Sequence, residues 1–258
     1  MGPIFILGFP RSGTTALASA LSQLPMLQSF SLEGHAFYLF TEGLRRVRTN
    51  QTNGNCVFRD EEKKQHFFAN FARAMNAAFS VDGNPDALNW IDKTPDIDQV
   101  RAAPELARLY PTAKFIYLYR RPDDAVRSNL ATWPDQLQGK DMEVARRWAN
   151  CSAAWRNARQ KLPEGSHMDI FQQDMLNKPG QVGNQVSNHL DLDEEARQLL
   201  RDFLQSNKRI NRPHGKVASQ YDARQLSDDT REAVMQECAE ELRFWPKLTA
   251  PVEGASQG

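Results

Sequence analysis

Residues 4–15 read Ile-Phe-Ile-Leu-Gly-Phe-Pro-Arg-Ser-Gly-Thr-Thr: a short apolar run, a glycine-bounded turn, then hydroxyl residues. The types and order suit anion capture, with backbone N–H groups at a helix N-terminus cradling negative oxygens. The spacing of Gly8 and Gly13 follows the Walker A pattern G-x-x-x-x-G-K-[ST], but Thr14 stands where that pattern places its lysine. The loop therefore lacks the cation that ATP and GTP enzymes set on the β- and γ-phosphates. Its own cation is Arg11, whose planar fork can hold two oxygens at once. Ser12, Gly13, Thr14 and Thr15 supply further backbone and hydroxyl donors. Such a loop suits a donor with its reactive anion at the 5′ end of a nucleotide.

Gly8-Phe9-Pro10-Arg11-Ser12-Gly13-Thr14-Thr15 resembles the 5′-phosphosulfate loop of the sulfotransferases that use 3′-phosphoadenosine 5′-phosphosulfate (PAPS), in the branch that carries Arg rather than Lys. Residues 113–128, Ala-Lys-Phe-Ile-Tyr-Leu-Tyr-Arg-Arg-Pro-Asp-Asp-Ala-Val-Arg-Ser, are similar to that family's 3′-phosphate motif, an apolar strand ending in Arg with a Ser further on. Between them, Trp90-Ile91-Asp92-Lys93-Thr94-Pro95 resembles the family's lysine-bearing strand end. The Lys-Thr-Pro element points to the branch that includes tyrosylprotein, polysaccharide and bacterial natural-product enzymes.

The resemblance implies a role for each matching residue. Arg11 holds the 5′-phosphosulfate, and Lys93 stabilises the bridging oxygen of the leaving 3′,5′-ADP. Asp92 and Asp96 flank Lys93, and from their position alone nothing beyond orienting it is expected of them. Arg120 and Ser128 contact the 3′-phosphate, with Arg121 and Arg127 as neighbouring cations. Pro122 departs from the small or charged residue common at that point of the family. Glu33 stands where this branch places a catalytic glutamate, and His35 and His66 are the alternative bases. Lys216, after Gly215, resembles the late basic loop that closes over PAPS; Arg209 and Arg212 compete for that role. Tyr221 and Trp133 are candidates for a substrate wall, while Trp148 and Trp155, on one predicted helix, read as core.

The implied reaction moves a sulfuryl group from PAPS to a hydroxyl or amine acceptor by in-line displacement and releases 3′,5′-ADP. A sulfate ester carries less charge than a terminal phosphate, so no metal is expected. The alternatives are a nucleotide or small-molecule kinase with a degenerate Walker A loop, and a non-catalytic nucleotide-binding module.

The elements that must position these residues follow from hydrophobic patterning. The chain has 258 residues with 40% hydrophobic content, enough for one large α/β domain over residues 1–248 followed by a disordered tail at 249–258. The expected fold is P-loop-like, three layers with a central, mainly parallel sheet of four or five strands flanked by helices. Strands are predicted at 4–7, 89–92, 115–119 and 168–171, with a short strand or loop over 27–34. Helices are predicted from Thr14, and over 60–79, 98–110, 123–130, 142–161, 193–205 and 228–244. Residues 132–141 and 207–227 read as loops, the second long enough to be a lid. Gln173-Asp174-Met175 resembles the family's Glu-Asp-Leu element after its last main strand.

Thirty-two Lys and Arg balance thirty-two Asp and Glu, which gives no global reason to expect nucleic acid or membrane binding. Cys56, Cys151 and Cys238 are far apart, which disfavours a disulfide framework or a zinc site. With neither a signal peptide nor an apolar span of about 20 residues in view, a cytoplasmic enzyme is expected.

Overall fold

The computed structural model describes residues 2–29, 36–49, 58, 60–80, 83–86, 88–206 and 225–249. Five strands build the sheet: β1 (Ile4–Gly8), β2 (Gln28–Ser29), β3 (Trp90–Lys93), β4 (Lys114–Tyr119) and β5 (His167–Phe171). Their spatial order is β2-β3-β1-β4-β5, and every neighbouring pair is parallel. β1 lies in the middle, with Ile4 opposite both Ile91 and Lys114.

Continuous apolar runs make β1 and β4 fit a sheet covered on both faces. Alternation then assigns their side chains. Ile4, Ile6, Ile91, Ile116, Leu118 and Ile170 share one core with α1 (Thr14–Leu21), α9 (Pro179–His189) and α10 (Glu194–Ser206). Phe5, Leu7, Trp90, Phe115, Tyr117 and Tyr119 face the other core. That side is closed by α2 (Ala36–Thr49), α3 (Glu61–Phe79), α4 (Ile97–Leu109), α5 (Pro122–Thr132) and α7 (Asp141–Arg159). Here the filling is aromatic: Phe5 stacks on Phe115 with centroids 5.2 Å apart, and Phe37 on Trp90 at 5.2 Å. Trp148 and Trp155 are buried in this core, as their spacing on one helix predicts.

Local chemistry starts the helices. The Asp60 carboxylate accepts from the backbone N–H groups of Glu62 and Lys63 and caps α3; Asp96 accepts from Asp98 N and caps α4. Pro122 opens α5 at its first turn, where its fixed φ and missing N–H do no harm. The departure of Pro122 from the family pattern is thus compatible with a regular helix start.

The structure adds elements that the sequence reading lacks. Residues 132–141 contain a single turn, α6 (Pro134–Leu137), and β5 runs directly into α8 (Gln172–Asn177). The helix expected over 228–244 breaks at Cys238 into α11 (Asp228–Glu237) and α12 (Ala239–Leu242). Past the break the chain turns inward: Trp245 stacks on Tyr119 at 4.4 Å and donates from Nε1 to Ser152 Oγ at 2.7 Å. A last turn, α13 (Pro246–Thr249), follows. Residues 250–258 of the expected tail lie outside the described residues. Among the described residues no helix is long and apolar enough to cross a membrane.

Candidate active site at the carboxyl ends of β1, β3 and β4

Ligands of open parallel sheets bind outside the carboxyl ends of the strands. The tightest point at that edge is Gly8, the last residue of β1. A Cβ there would stand 2.6 Å from the carbonyl oxygen of Leu118, so glycine lets β1 and β4 close up where the loop begins. Residues 9–13 then turn into α1. Ser12 N donates to Phe9 O at 3.2 Å, and Ala16 N to Gly13 O at 3.0 Å. Gly13 occupies the N-cap position of α1 with φ 91° and contributes no side-chain cap. The N–H groups of Thr14 and Thr15, which open α1 ahead of the Ala16–Gly13 bond, are thereby suited to an external anion.

Arg11 itself adopts φ 73°, a left-handed conformation shared by Asp191 among the described side-chain-bearing residues. That conformation costs such a residue about 1–2 kcal/mol. The offset comes from the second motif and from Asn129, the residue that follows it. Arg11 Nε donates to Ser128 Oγ at 3.2 Å. Arg120 Nη1 donates to the carbonyl of Arg11 at 3.0 Å, and Asn129 Nδ2 to the carbonyl of Pro10 at 3.1 Å. At about 1 kcal/mol net per hydrogen bond, these contacts suffice to hold the kink.

Arg120 follows β4 directly. Its own carbonyl accepts from Trp148 Nε1 at 3.1 Å, which ties the strand end to α7. Its side chain is half-buried, and the desolvation lowers its pKa from the ordinary arginine value. Asp124 opposes that shift, while Arg127 and Arg11 add to it. Arg120 Nε and Ser12 Oγ are buried polar atoms with no hydrogen-bond partner among the described residues. Buried donors without partners are uncommon and suit a site made for anionic oxygens.

The neighbouring cations have other engagements. Arg121 pairs with Asp123 at 3.1 Å and donates to the carbonyl of Leu248 at 3.3 Å. Arg127 pairs with Asp124 at 3.0 Å. Lys93 ends β3, with Ile6 as its register partner, one strand over from the anion loop. The two aspartates flanking it serve the scaffold. Asp92 is fully buried and accepts from Thr94 Oγ1 at 3.0 Å and Gln99 Nε2 at 2.8 Å, and Asp96 caps α4.

The fold thus gathers Arg11, Ser12, Gly13, Thr14, Thr15, Lys93, Arg120 and Ser128 at one edge of the sheet. His66 lies on the exposed surface of α3, and Trp133, 37% exposed, precedes α6. Glu33, His35, Arg209, Arg212, Lys216 and Tyr221 lie outside the described residues. The sequence reading missed Asn129, although a polar residue at an inward position of a helix is itself a signal. It took Trp148 for core alone, and nothing local marks which carbonyl its indole N–H reaches.

Comparison with known proteins bears on the family and the fold. A model described as the sulfotransferase family matches residues 3–196. A search of curated proteins gave no match. Among solved structures, a sulfotransferase from Alicyclobacillus acidocaldarius superposes with TM-score 0.57 at 14% identity, covering 98% of this chain and 97% of that one. Mouse sulfotransferase SULT7A1, solved in complex with PAP, gives TM-score 0.55 at 13% identity, covering 96% and 89%. The sulfotransferase domain of the Synechococcus PCC 7002 olefin synthase gives 0.54 at 19%, covering 93% and 94%. These neighbours share the P-loop-like fold, and with the family model covering most of its length the chain belongs to the sulfotransferase family.

Proposed function

We propose that this sulfotransferase draws its sulfuryl group from PAPS and passes it to a hydroxyl or amine acceptor, releasing 3′,5′-ADP. One observation carries the reading: the loop suited to a 5′-phosphosulfate and the motif suited to a 3′-phosphate are hydrogen-bonded to each other through Arg11, Arg120 and Ser128. A nucleotide charged at both ends of its ribose matches a site with two linked cationic ends. The mouse neighbour's complex with PAP supports the same choice of nucleotide.

In this reading Arg11 and the first-turn N–H groups of α1 bind the 5′ group, and Arg120 and Ser128 bind the 3′-phosphate. Lys93 neutralises charge building on the bridging oxygen as the S–O bond breaks, while Arg11 stabilises the sulfuryl oxygens in flight. Positioning supplies much of the rate, as in phosphoryl transfer. Glu33 takes the acceptor proton, and Lys216 closes over the nucleotide. Residues 1–248 act as one catalytic domain.

The test is nucleotide binding without magnesium, followed by an acceptor screen with labelled PAPS. Calorimetry should show 3′,5′-ADP binding far more tightly than 5′-AMP. At about 100 times its dissociation constant it should stabilise the fold by roughly 2.7 kcal/mol. Equal affinity for the two nucleotides, or a requirement for ATP with magnesium, would remove PAPS from the reading.

A further inference from the structure

Arg11 does not set its own backbone. The carbonyl of Pro10 marks the peptide plane on one side of its Cα, and its own carbonyl marks the plane on the other. Arg120 grips the second from the end of β4. Asn129 grips the first: its Nδ2 donates to Pro10 O at 3.1 Å and to Ala125 O at 2.8 Å. With both planes held, both dihedral angles of the left-handed residue are determined from outside the loop.

Asn129 is 4% exposed and sits inside α5, where asparagine is a weak helix former. Its amide is fixed within the helix by the bond to Ala125 O, so the second N–H leaves at a defined angle toward the loop. It directly follows Ser128, which accepts from the Arg11 side chain. One turn of α5 therefore holds Arg11 twice, by its guanidinium and by the peptide that precedes it.

We infer that Asn129 is a positioning residue for sulfuryl transfer, locking Pro10–Arg11 so that the Arg11 guanidinium meets the 5′ group of the nucleotide. This rests on the nucleotide reading above. The site's grip on a 5′-phosphate then depends on Asn129, although the side chain need never touch the ligand. Asn129→Asp keeps size and shape but turns the donor into an acceptor facing two carbonyls. Asn129→Ala removes the amide and favours the helix.

The experiment measures the affinities of 3′,5′-ADP and 3′-AMP by calorimetry; their ratio is the worth of the 5′-phosphate. The ratio should be large in the unmodified protein and fall by about tenfold or more in either variant, the loss expected when a charge-assisted contact is misplaced. Should Asn129→Asp not fold, Asn129→Ala carries the test. A ratio unchanged in a folded variant, with both affinities weakened alike, would make Asn129 a packing residue and overturn the inference while leaving the nucleotide reading intact. A ratio near one in the unmodified protein would overturn both.

Discussion

The guanidinium of Arg120 donates from Nη1 to the backbone carbonyl of Arg11 at 3.0 Å, across 109 residues of sequence. The cation assigned to one end of the nucleotide thereby buttresses the loop assigned to the other. Under the proposed function, ligand binding and loop geometry are coupled through one side chain, and its shape matters as much as its charge.

Arg120→Lys keeps the charge but gathers its donors on one nitrogen at the end of a flexible stem, so it cannot reproduce the planar fork that grips the Arg11 carbonyl with one edge and leaves the other edge for a phosphate. The expected result is a loss of about tenfold or more in 3′,5′-ADP affinity by calorimetry, consistent with a lost charge-assisted contact. Retention of full affinity would mean that the second donor edge is idle.

Gly8→Ala should destabilise the protein by about 1–3 kcal/mol in urea unfolding, the usual cost of overpacking, because the added methyl meets the Leu118 carbonyl at 2.6 Å. Its nucleotide affinity should fall too, since β1 must draw away from β4 at the mouth of the loop. An unchanged unfolding midpoint would show that the two strands part without cost.

Trp148→Phe keeps most of the buried ring and removes the N–H that holds the Arg120 carbonyl at 3.1 Å. A loss of about 1 kcal/mol in chemical unfolding is expected, one hydrogen bond with a partly buried acceptor left unmade. A neutral outcome would mean that the carbonyl finds another donor.

The α/β frame was legible because its signals are local. The apolar runs at Ile4–Leu7 and Phe115–Tyr119 predict strands buried on both faces, and the structure extends them only to Gly8 and back to Lys114. Helix α9 was not legible. It carries Gly180 and Gly183, and its buried apolar residues are Val182 and Val186. Gly183 has a tertiary reason, since a Cβ there would stand 2.8 Å from Arg201 Cγ on α10. The helix exists for its neighbour, and propensity carries no trace of that. At the site, Arg11, Lys93, Arg120 and Ser128 could be named from their motifs. The dependence of Arg11 on Asn129 could not, because it passes through a backbone carbonyl on a distant segment.

The acid side of the stability profile should depend on His189, which ends α9. Burial lowers its pKa from 6.5 to about 4; Lys114 and His167 push the same way, and Asp191 opposes them. His167 is lowered as well, again mainly by burial. The unfolded chain takes up the His189 proton near pH 6.5, whereas the folded chain resists until about pH 4. This contribution is therefore intact above about pH 6.5 and lost as the pH falls toward about 4. His189→Gln should flatten the fall in melting temperature between those limits. A slope identical to that of the unmodified protein would refute the assignment.

For the proposed base, Glu33→Gln keeps the shape and removes the charge. Nucleotide affinity should hold while turnover with labelled PAPS falls by about 10²–10⁴, and the rise of rate with pH should vanish. His35→Asn and His66→Asn are the controls. A collapse in one of these with Glu33→Gln unaffected would transfer the role to that histidine.

The central place of β1 has a consequence for how the protein comes into being. Ile4 must wait for Ile91 on one side and Lys114 on the other, and Arg11 for Ser128, 117 residues on. Closing such distant pairs is entropically expensive and slow compared with forming a helix. A nascent chain that has emerged only as far as β3 owns the whole loop sequence but neither the β4 edge nor the amide that bends Arg11. In the proposed reading the capacity to grip a nucleotide arrives with the folding of the sheet as a unit, and 3′,5′-ADP binding during refolding would time that event directly.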